Sequence, residues 1–282
     1  ILFGDSVVSV RMLSVLFGVG ALLMVNKIAE FLYPNSRWAA VAATGLVASA
    51  PFVLYQSIEA RAYSLLLFAH TGTVWAILLL NSAQRKKSHS AAFIFFAVLG
   101  LYTHVVFIFA LLALFIWQCM LVLNFHGEWS RAGLKKVTNQ LAANVVLYLV
   151  VGALFSPWLV ALMQQVSQVN TQGFWLQFNP VEDLINGFRW LFTTNTMDSH
   201  LHFWTPISIF ILETVGVCLL LLSGLQRTRH HLGSLSFITL AVLYVVSFII
   251  PVYYVRYFSF VVPIVFIAIF DVLYSFGRQL EY

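Results

Sequence analysis

Apolar residues in this chain come in runs, at roughly 9–32, 38–56, 62–81, 91–103, 105–125, 141–162, 206–225, 235–252 and 257–275. About 20 apolar residues carry a helix across the hydrocarbon core of a bilayer. Lipid offers no partner for backbone N–H and C=O groups, so a spanning segment must satisfy them internally. Charge is scarce to match: Asp, Glu, Lys and Arg make up 9% of the 282 residues, and 61% are hydrophobic. An ordinary soluble domain carries about 25% charged residues. A chain this poor in charge cannot clothe a globular surface in water. The expectation is an all-α, polytopic transmembrane bundle of about nine spans, forming a single domain over 1–282. The run at 91–103 is short for a crossing. It is expected to extend into its flanks, to tilt, or to form a bent unit with its successor.

The short loops carry the basic charge. Gln84-Arg85-Lys86-Lys87-Ser88-His89, the stretch from Arg131 to Lys136, and Gln226-Arg227-Thr228-Arg229-His230-His231 are all basic. Loops facing the cytoplasm are enriched in Lys and Arg, which accounts for the net charge of +5 without a nucleic-acid partner. With 85–87 taken as cytoplasmic and nine spans alternating, eleven basic residues fall inside: Lys27, Arg37, Arg85, Lys86, Lys87, Arg131, Lys135, Lys136, Arg227, Arg229 and Arg278. The other four of the 15, Arg11, Arg61, Arg189 and Arg256, fall outside. The two cysteines, Cys119 and Cys218, each sit in an apolar run and point to neither a disulfide framework nor a Cys-based metal site. The chain begins at Ile1 and enters an apolar segment almost at once, with no signal-peptide pattern; a fragment of a longer chain is expected.

The connection at 164–205 differs from the others. It holds Trp175, Trp190, Trp204, three acids and one basic residue, Arg189. Within it Asn179-Pro180-Val181-Glu182 reads as a helix start, with Asn179 as cap and Pro180 at the first helical position. Val181, Leu184, Ile185, Phe188 and Leu191 then follow helical spacing, the pattern of an amphipathic helix lying in the interface or packed on neighbouring spans. Asp198, His200 and His202 have an alternate spacing that would suit a metal in a strand; in a loop a solvated polar tip accounts for it.

Ionisable groups at the membrane edge are costly and mark candidate sites. One cluster is Tyr55-Gln56-Ser57-Ile58-Glu59-Ala60-Arg61-Ala62-Tyr63, squeezed between two spans; another is Tyr253-Tyr254-Val255-Arg256-Tyr257; a third is Tyr102-Thr103-His104. The alternating topology puts all three on the outer side. Arg61 and Arg256 are the natural anion binders, since the guanidinium presents a charged fork of donors matched to phosphate oxygens. Two arginines at one membrane surface suit a lipid-linked phosphate. Glu59 is suited to orienting an arginine, contacting a hydroxyl or assisting a metal, and His104 to those roles or to proton transfer. The plainer account of these residues is a Glu59–Arg61 pair, an aromatic belt of interfacial tyrosines, and a hydrogen-bonded histidine at a helix end.

Several of these segments resemble one family. Val10-Arg11-Met12-Leu13-Ser14-Val15-Leu16-Phe17-Gly18 resembles an R-x-x-S-x-L-F-G signature, and Ala50-Pro51-Phe52 with Gln56-Ser57-Ile58-Glu59-Ala60-Arg61-Ala62-Tyr63-Ser64 resembles S-P-F…S-x-E-A-R-x-Y. Leu101-Tyr102-Thr103-His104 is similar to L-Y-T-H, and Ser156-Pro157-Trp158-Leu159 to a P-W-L at the end of a later span. Phe174-Trp175 before a Pro-led helix, then Arg256-Tyr257 with Pro263 beyond, also fit. Together they resemble membrane glycosyltransferases of the protein mannosyltransferase type, GT-C fold enzymes of glycosyltransferase family 39 and their aminoarabinose-transferase kin, in bacterial form.

The resemblance implies transfer of a sugar from a polyprenyl-phosphate-linked donor to a lipid, glycan or protein acceptor on the extracytoplasmic face of the plasma or inner membrane. It implies donor-phosphate binding by Arg61, Tyr63, Arg256 and Tyr257, with Glu59 and His104 in support. It also implies a main catalytic acid in a first outer loop ahead of Val10–Gly18, which is expected to lie outside this fragment together with an N-terminal span. No cofactor is called for, and a divalent metal is left open. The alternative reading is a transporter or flippase of lipid-linked intermediates. Such proteins show internal repeats and ionisable groups at mid-membrane, whereas no internal repeat is visible here and the ionisable groups gather at span ends.

Overall fold

A computed structural model describes residues 6–82, 85–125, 131–172, 178–192, 204–225 and 231–280. Among them every regular element is helical: α1 (Val7–Leu32), α2 (Arg37–Ala48), α3 (Pro51–Ile58), α4 (Tyr63–Leu80), α5 (Lys87–Thr103), α6 (Phe107–Phe125), α7 (Arg131–Gln172), α8 (Pro180–Trp190), α9 (Trp204–Leu225), α10 (Leu232–Val246), a 3₁₀ turn (Val255–Phe258) and α11 (Val262–Leu280). The protein is an integral membrane protein: Arg11–Leu32, Tyr63–Leu80, Leu134–Gln164 and Val262–Gln279 are each long and apolar enough to cross a bilayer.

That makes four such helices among the described residues, or five if the bent pair α2–α3 counts as one crossing, and not the nine expected from the apolar runs. Hydropathy counts residues without seeing where the helix carrying them breaks. The run at 38–56 bends by 66°. Pro51 lacks an N–H and keeps Ala50 out of the helical region, at φ −63°, ψ 121°. The run at 235–252 leaves its helix at Val246. Beyond it Ser247 Oγ accepts the N–H groups of Val252 (3.1 Å) and Tyr253 (2.6 Å), which holds the chain in an irregular turn. The remaining apolar helices are shorter than the usual span, at Phe107–Leu123, Phe210–Leu225 and Leu232–Val246.

α4 is the centre of the bundle. Its apolar residues cover its whole circumference, the pattern of a helix buried on all sides. Thirteen of its residues are buried, His70, Thr71 and Thr73 among them, and it packs on α1 and α5. The contact with α5 is close because Gly72 accepts the ring of Phe96, where a Cβ would collide. α7 is the opposite case, 42 residues long with Pro157 inside and most of the described side chains along it exposed.

Contacts between helix ends show that the helices alternate in direction. At one end, Gln140 Nε2 donates to Asn81 Oδ1 (3.0 Å), Trp117 Nε1 to the His231 carbonyl (3.1 Å) and Tyr33 Oη to Asp271 Oδ1 (2.9 Å). At the other end, Ser14 Oγ donates to the Arg61 carbonyl (3.4 Å) and Tyr102 Oη to the Leu154 carbonyl (3.0 Å), and Tyr63 stacks on His104. The short run at 91–103 therefore extends into its N-terminal flank. As α5 it travels from the basic Arg85–Lys87 end to the tyrosine-rich end in 17 residues, roughly 25 Å at helical rise.

Candidate functional site

Three segments meet at the tyrosine-rich end. The first follows α3. Glu59 is extended at φ −76°, ψ 132°, and the Arg61 N–H donates to the Glu59 carbonyl (2.8 Å), so the chain turns tightly there. Residues two apart do not face each other on a helix, but this segment is not helical, and Arg61 Nε reaches Glu59 Oε1 at 3.1 Å. The plainer expectation of a Glu59–Arg61 pair thus holds. The pair is asymmetric, with Arg61 45% exposed and Glu59 18%. The other carboxylate oxygen, Glu59 Oε2, is buried without a hydrogen-bond partner. The segment rests on α1: Ser14 donates to the Arg61 carbonyl, and Gly18 lets α1 approach Ser57, whose side chain would clash with any Cβ there. The R-x-x-S-x-L-F-G and S-x-E-A-R-x-Y stretches are therefore neighbours.

The second segment ends α5. His104 is the C-cap, extended at φ −157°, and its Nδ1 accepts the Val106 N–H (3.2 Å). A neutral ring held in this way carries its proton on Nε2. Burial pushes the His104 pKa down and favours the neutral ring. The ring lies between Tyr63, stacked at 6.2 Å, and Tyr257 at 5.0 Å. One residue earlier in the motif, Tyr102 packs against Phe155 and Trp158, joining the L-Y-T-H and P-W-L stretches.

The third segment is the 3₁₀ turn. The Tyr257 N–H donates to the Tyr254 carbonyl (2.8 Å). Burial pushes the Tyr257 phenol up, the nearby Tyr63 and Tyr254 hydroxyls add to this, and Arg256 opposes it. Arg256 and Arg61 both act electrostatically on Tyr63. Arg256 has no carboxylate within 4 Å among the described residues, unlike Arg61. The structure thus gathers all six candidate residues, Glu59, Arg61, Tyr63, His104, Arg256 and Tyr257, at one end of the bundle. It also separates the two arginines chemically: one is already paired and one is open.

Other candidates fare differently. Arg11 is exposed on α1, one helical turn before Ser14. Arg189 is engaged with Glu213 of α9 at 3.0 Å. Asn179 does not cap α8 through its side-chain oxygen. Instead its N–H donates to Asp183 Oδ2 (2.8 Å) and its Nδ2 to Glu182 Oε2 (2.9 Å). Trp175, Asp198, His200 and His202 lie outside the described residues. Among the described residues no three His, Cys, Asp or Glu side chains are grouped to hold a metal.

Two further buried polar residues were not singled out as site residues by the sequence reading. Gln56 is 1% exposed with Oε1 unpartnered, one helical turn before Glu59, and its place inside the Q-S-x-E-A-R stretch was the available signal. His70 is enclosed between Phe107 and Phe260 at mid-α4, and a lone ionisable residue in an apolar run was its signal.

A cluster built of one open guanidinium, the hydroxyls of Tyr63 and Tyr257 and an imidazole N–H offers donors to an anion, and the unpartnered Glu59 oxygen offers an acceptor to a hydroxyl. No family model, no curated protein and no solved structure matches the chain.

Proposed function

We propose that this protein transfers a sugar from a polyprenyl-phosphate-linked donor to an acceptor, at the extracytoplasmic face of a plasma or inner membrane. The reading combines the resemblance to GT-C glycosyltransferases with one observation: residues 59–63, 104 and 256–257 come from three distant stretches of chain and converge on one half-buried cluster. In the reaction the acceptor hydroxyl oxygen attacks the anomeric carbon of the sugar, the bond from that carbon to the phosphate oxygen breaks, and the polyprenyl phosphate leaves with the negative charge. Arg256 and the Tyr63 and Tyr257 hydroxyls hold the phosphate oxygens as that charge develops. The free Glu59 oxygen orients a sugar or acceptor hydroxyl. The hydroxyl proton passes to a carboxylate acting as general base, the role the resemblance implies for an acidic residue of an outer loop.

A second feature supports a lipid-linked donor. Between α6 and α7 runs an apolar groove of about 500 Å³, lined by Leu101, Ile108, Tyr148, Gly152, Phe155 and Leu159 among others. It starts beside the Tyr102–His104 turn, and a polyprenyl chain held at its phosphate by the cluster would lie along it. The eleven-to-four partition of basic residues favours a cluster on the outer side and an Arg85–Lys87 end in the cytoplasm. Membranes holding the full-length protein, given radiolabelled polyprenyl-phosphate sugar, should pass label to a lipid, glycan or protein fraction. Label moved across the membrane but unchanged would identify a flippase instead, and label neither transferred nor moved would defeat both readings.

A further inference from the structure

α8 has two faces that do different things. Val181, Leu184 and Ile185 point outward and are 71%, 38% and 58% exposed, although their i, i+3, i+4 spacing makes one apolar stripe. The opposite side is fastened to the segment that carries the 3₁₀ turn. Gly187 is buried against the Tyr253 ring, so close that a Cβ would overlap it, and Trp190 lies 5.9 Å from Phe258. Tyr244 Oη donates to the Pro180 carbonyl at 3.2 Å, and Phe178 sits among Tyr244, Phe248 and Tyr253. Tyr253 and Phe258 bracket Arg256 and Tyr257. Whatever holds α8 therefore holds the open arginine of the site.

The occupant of the outward face follows from its neighbours. Arg189 of α8 pairs with Glu213 of α9, and around Glu213 that apolar helix exposes Phe210, Ile211, Leu212 and Val215 at 68%, 54%, 52% and 49%. The exposed α8 stripe is thus on a helix joined to this exposed apolar surface. Arg189, the one basic residue of α8, is paired with Glu213 and leaves no cationic face, so an uncharged bilayer interface suits it better than anionic headgroups.

We infer that α8 is a strut seated in the interface of the bilayer, and that this seat sets the position of the Arg256–Tyr257 turn. Its bearing on donor binding rests on the glycosyltransferase reading; the seat and the mechanical coupling do not. The test uses the full chain in phosphatidylcholine nanodiscs, in a Cys119→Ala, Cys218→Ala background, with spin labels on Val181→Cys, Ile185→Cys and Glu182→Cys. Labels at 181 and 185 should collide with oxygen in preference to a water-soluble nickel chelate, and the label at 182 should show the reverse. Labels at 181 and 185 that prefer the nickel chelate, or that are shielded from both, overturn the seat; shielding from both would mean that another part of the chain covers the stripe. In the second arm Ile185→Asp should speed amide exchange across residues 252–258 by about tenfold, while α4 and α5 stay unchanged. Lipid-seated labels with unaltered exchange at 252–258 overturn the coupling. Both readouts are independent of glycosyl transfer, so the strut and the enzymatic reading can fail separately.

Discussion

Replacing Arg256 by alanine should weaken binding of a polyprenyl phosphate far more than replacing Arg61, although both stand in the same cluster. Arg256 has no carboxylate within 4 Å among the described residues, and burial pushes the Tyr257 phenol beside it up, so that it is neutral at working pH. A phosphate would receive its guanidinium without first displacing an anion. A hydrogen bond to a charged group contributes about 1.5–3 kcal/mol net. Loss of one such bond therefore weakens binding by roughly 10- to 150-fold, at about 1.4 kcal/mol per tenfold. Arg61 begins from a different position. Its Nε already meets Glu59 Oε1 at 3.1 Å, and its side chain is 45% exposed. Half-exposed pairs of this kind contribute about 0–1 kcal/mol, and the guanidinium adds little attraction for an anion while its own carboxylate neutralises it. Arg61→Ala is then expected to cost under about tenfold in affinity. Arg256→Lys keeps the charge but loses the planar fork, and should fall between wild type and Arg256→Ala. Binding of a short polyprenyl phosphate to the full-length protein in nanodiscs, followed by native mass spectrometry or calorimetry, gives the ranking. Equal losses for the two alanine variants, or a larger loss for Arg61→Ala, would refute the division of labour drawn from the ion-pair geometry.

Four further outcomes are expected. His104 has an ordinary value of 6.5 that burial lowers in the folded protein, so the unfolded chain binds the extra proton first. Its contribution to stability is present above about pH 6.5 and fades as pH falls below that. Wild type should lose more thermal stability than His104→Gln between pH 7.5 and 5.5, and parallel losses would contradict it. Ser247→Ala strips an acceptor from the buried N–H groups of Val252 and Tyr253. At about 1–3 kcal/mol per orphaned group, it should lower the melting temperature and faster exchange should appear at 252–258. Gly152 lines the α6–α7 groove, where a side chain would meet nothing within 4 Å at its Cβ, so Gly152→Phe should fill the groove and penalise long-chain donors over short-chain ones in a transfer assay. For sidedness, Ala60→Cys should react with a membrane-impermeant thiol reagent in intact cells and Lys87→Cys should resist it, in a background without Cys119 and Cys218.

What the sequence determined by itself was local. Runs of apolar residues without charge oblige the backbone to satisfy its own hydrogen bonds, so helices in lipid were legible from residues 9–32 or 62–81 alone. Pro180 placed the start of α8, and the spacing of Val181, Leu184 and Ile185 placed its apolar stripe. The residues of the cluster were legible too, because Glu59, Arg61, His104 and Arg256 are expensive groups at the edges of apolar runs. Tertiary structure decided what those residues do to one another. Helical periodicity argues against a Glu59–Arg61 contact, yet an extended Glu59 and a tight turn make it, and only that pairing separates a neutralised arginine from an open one. The number of crossings also lay beyond hydropathy: the break at Ala50–Pro51 and the Ser247 hold on Val252 and Tyr253 interrupt runs that composition reads as continuous. The placing of α4 at the centre depends on which helices pack around it, and so does the meeting of residues 63, 104 and 257. Packing of that kind is a property of pairs of helices, and no window along one of them contains it.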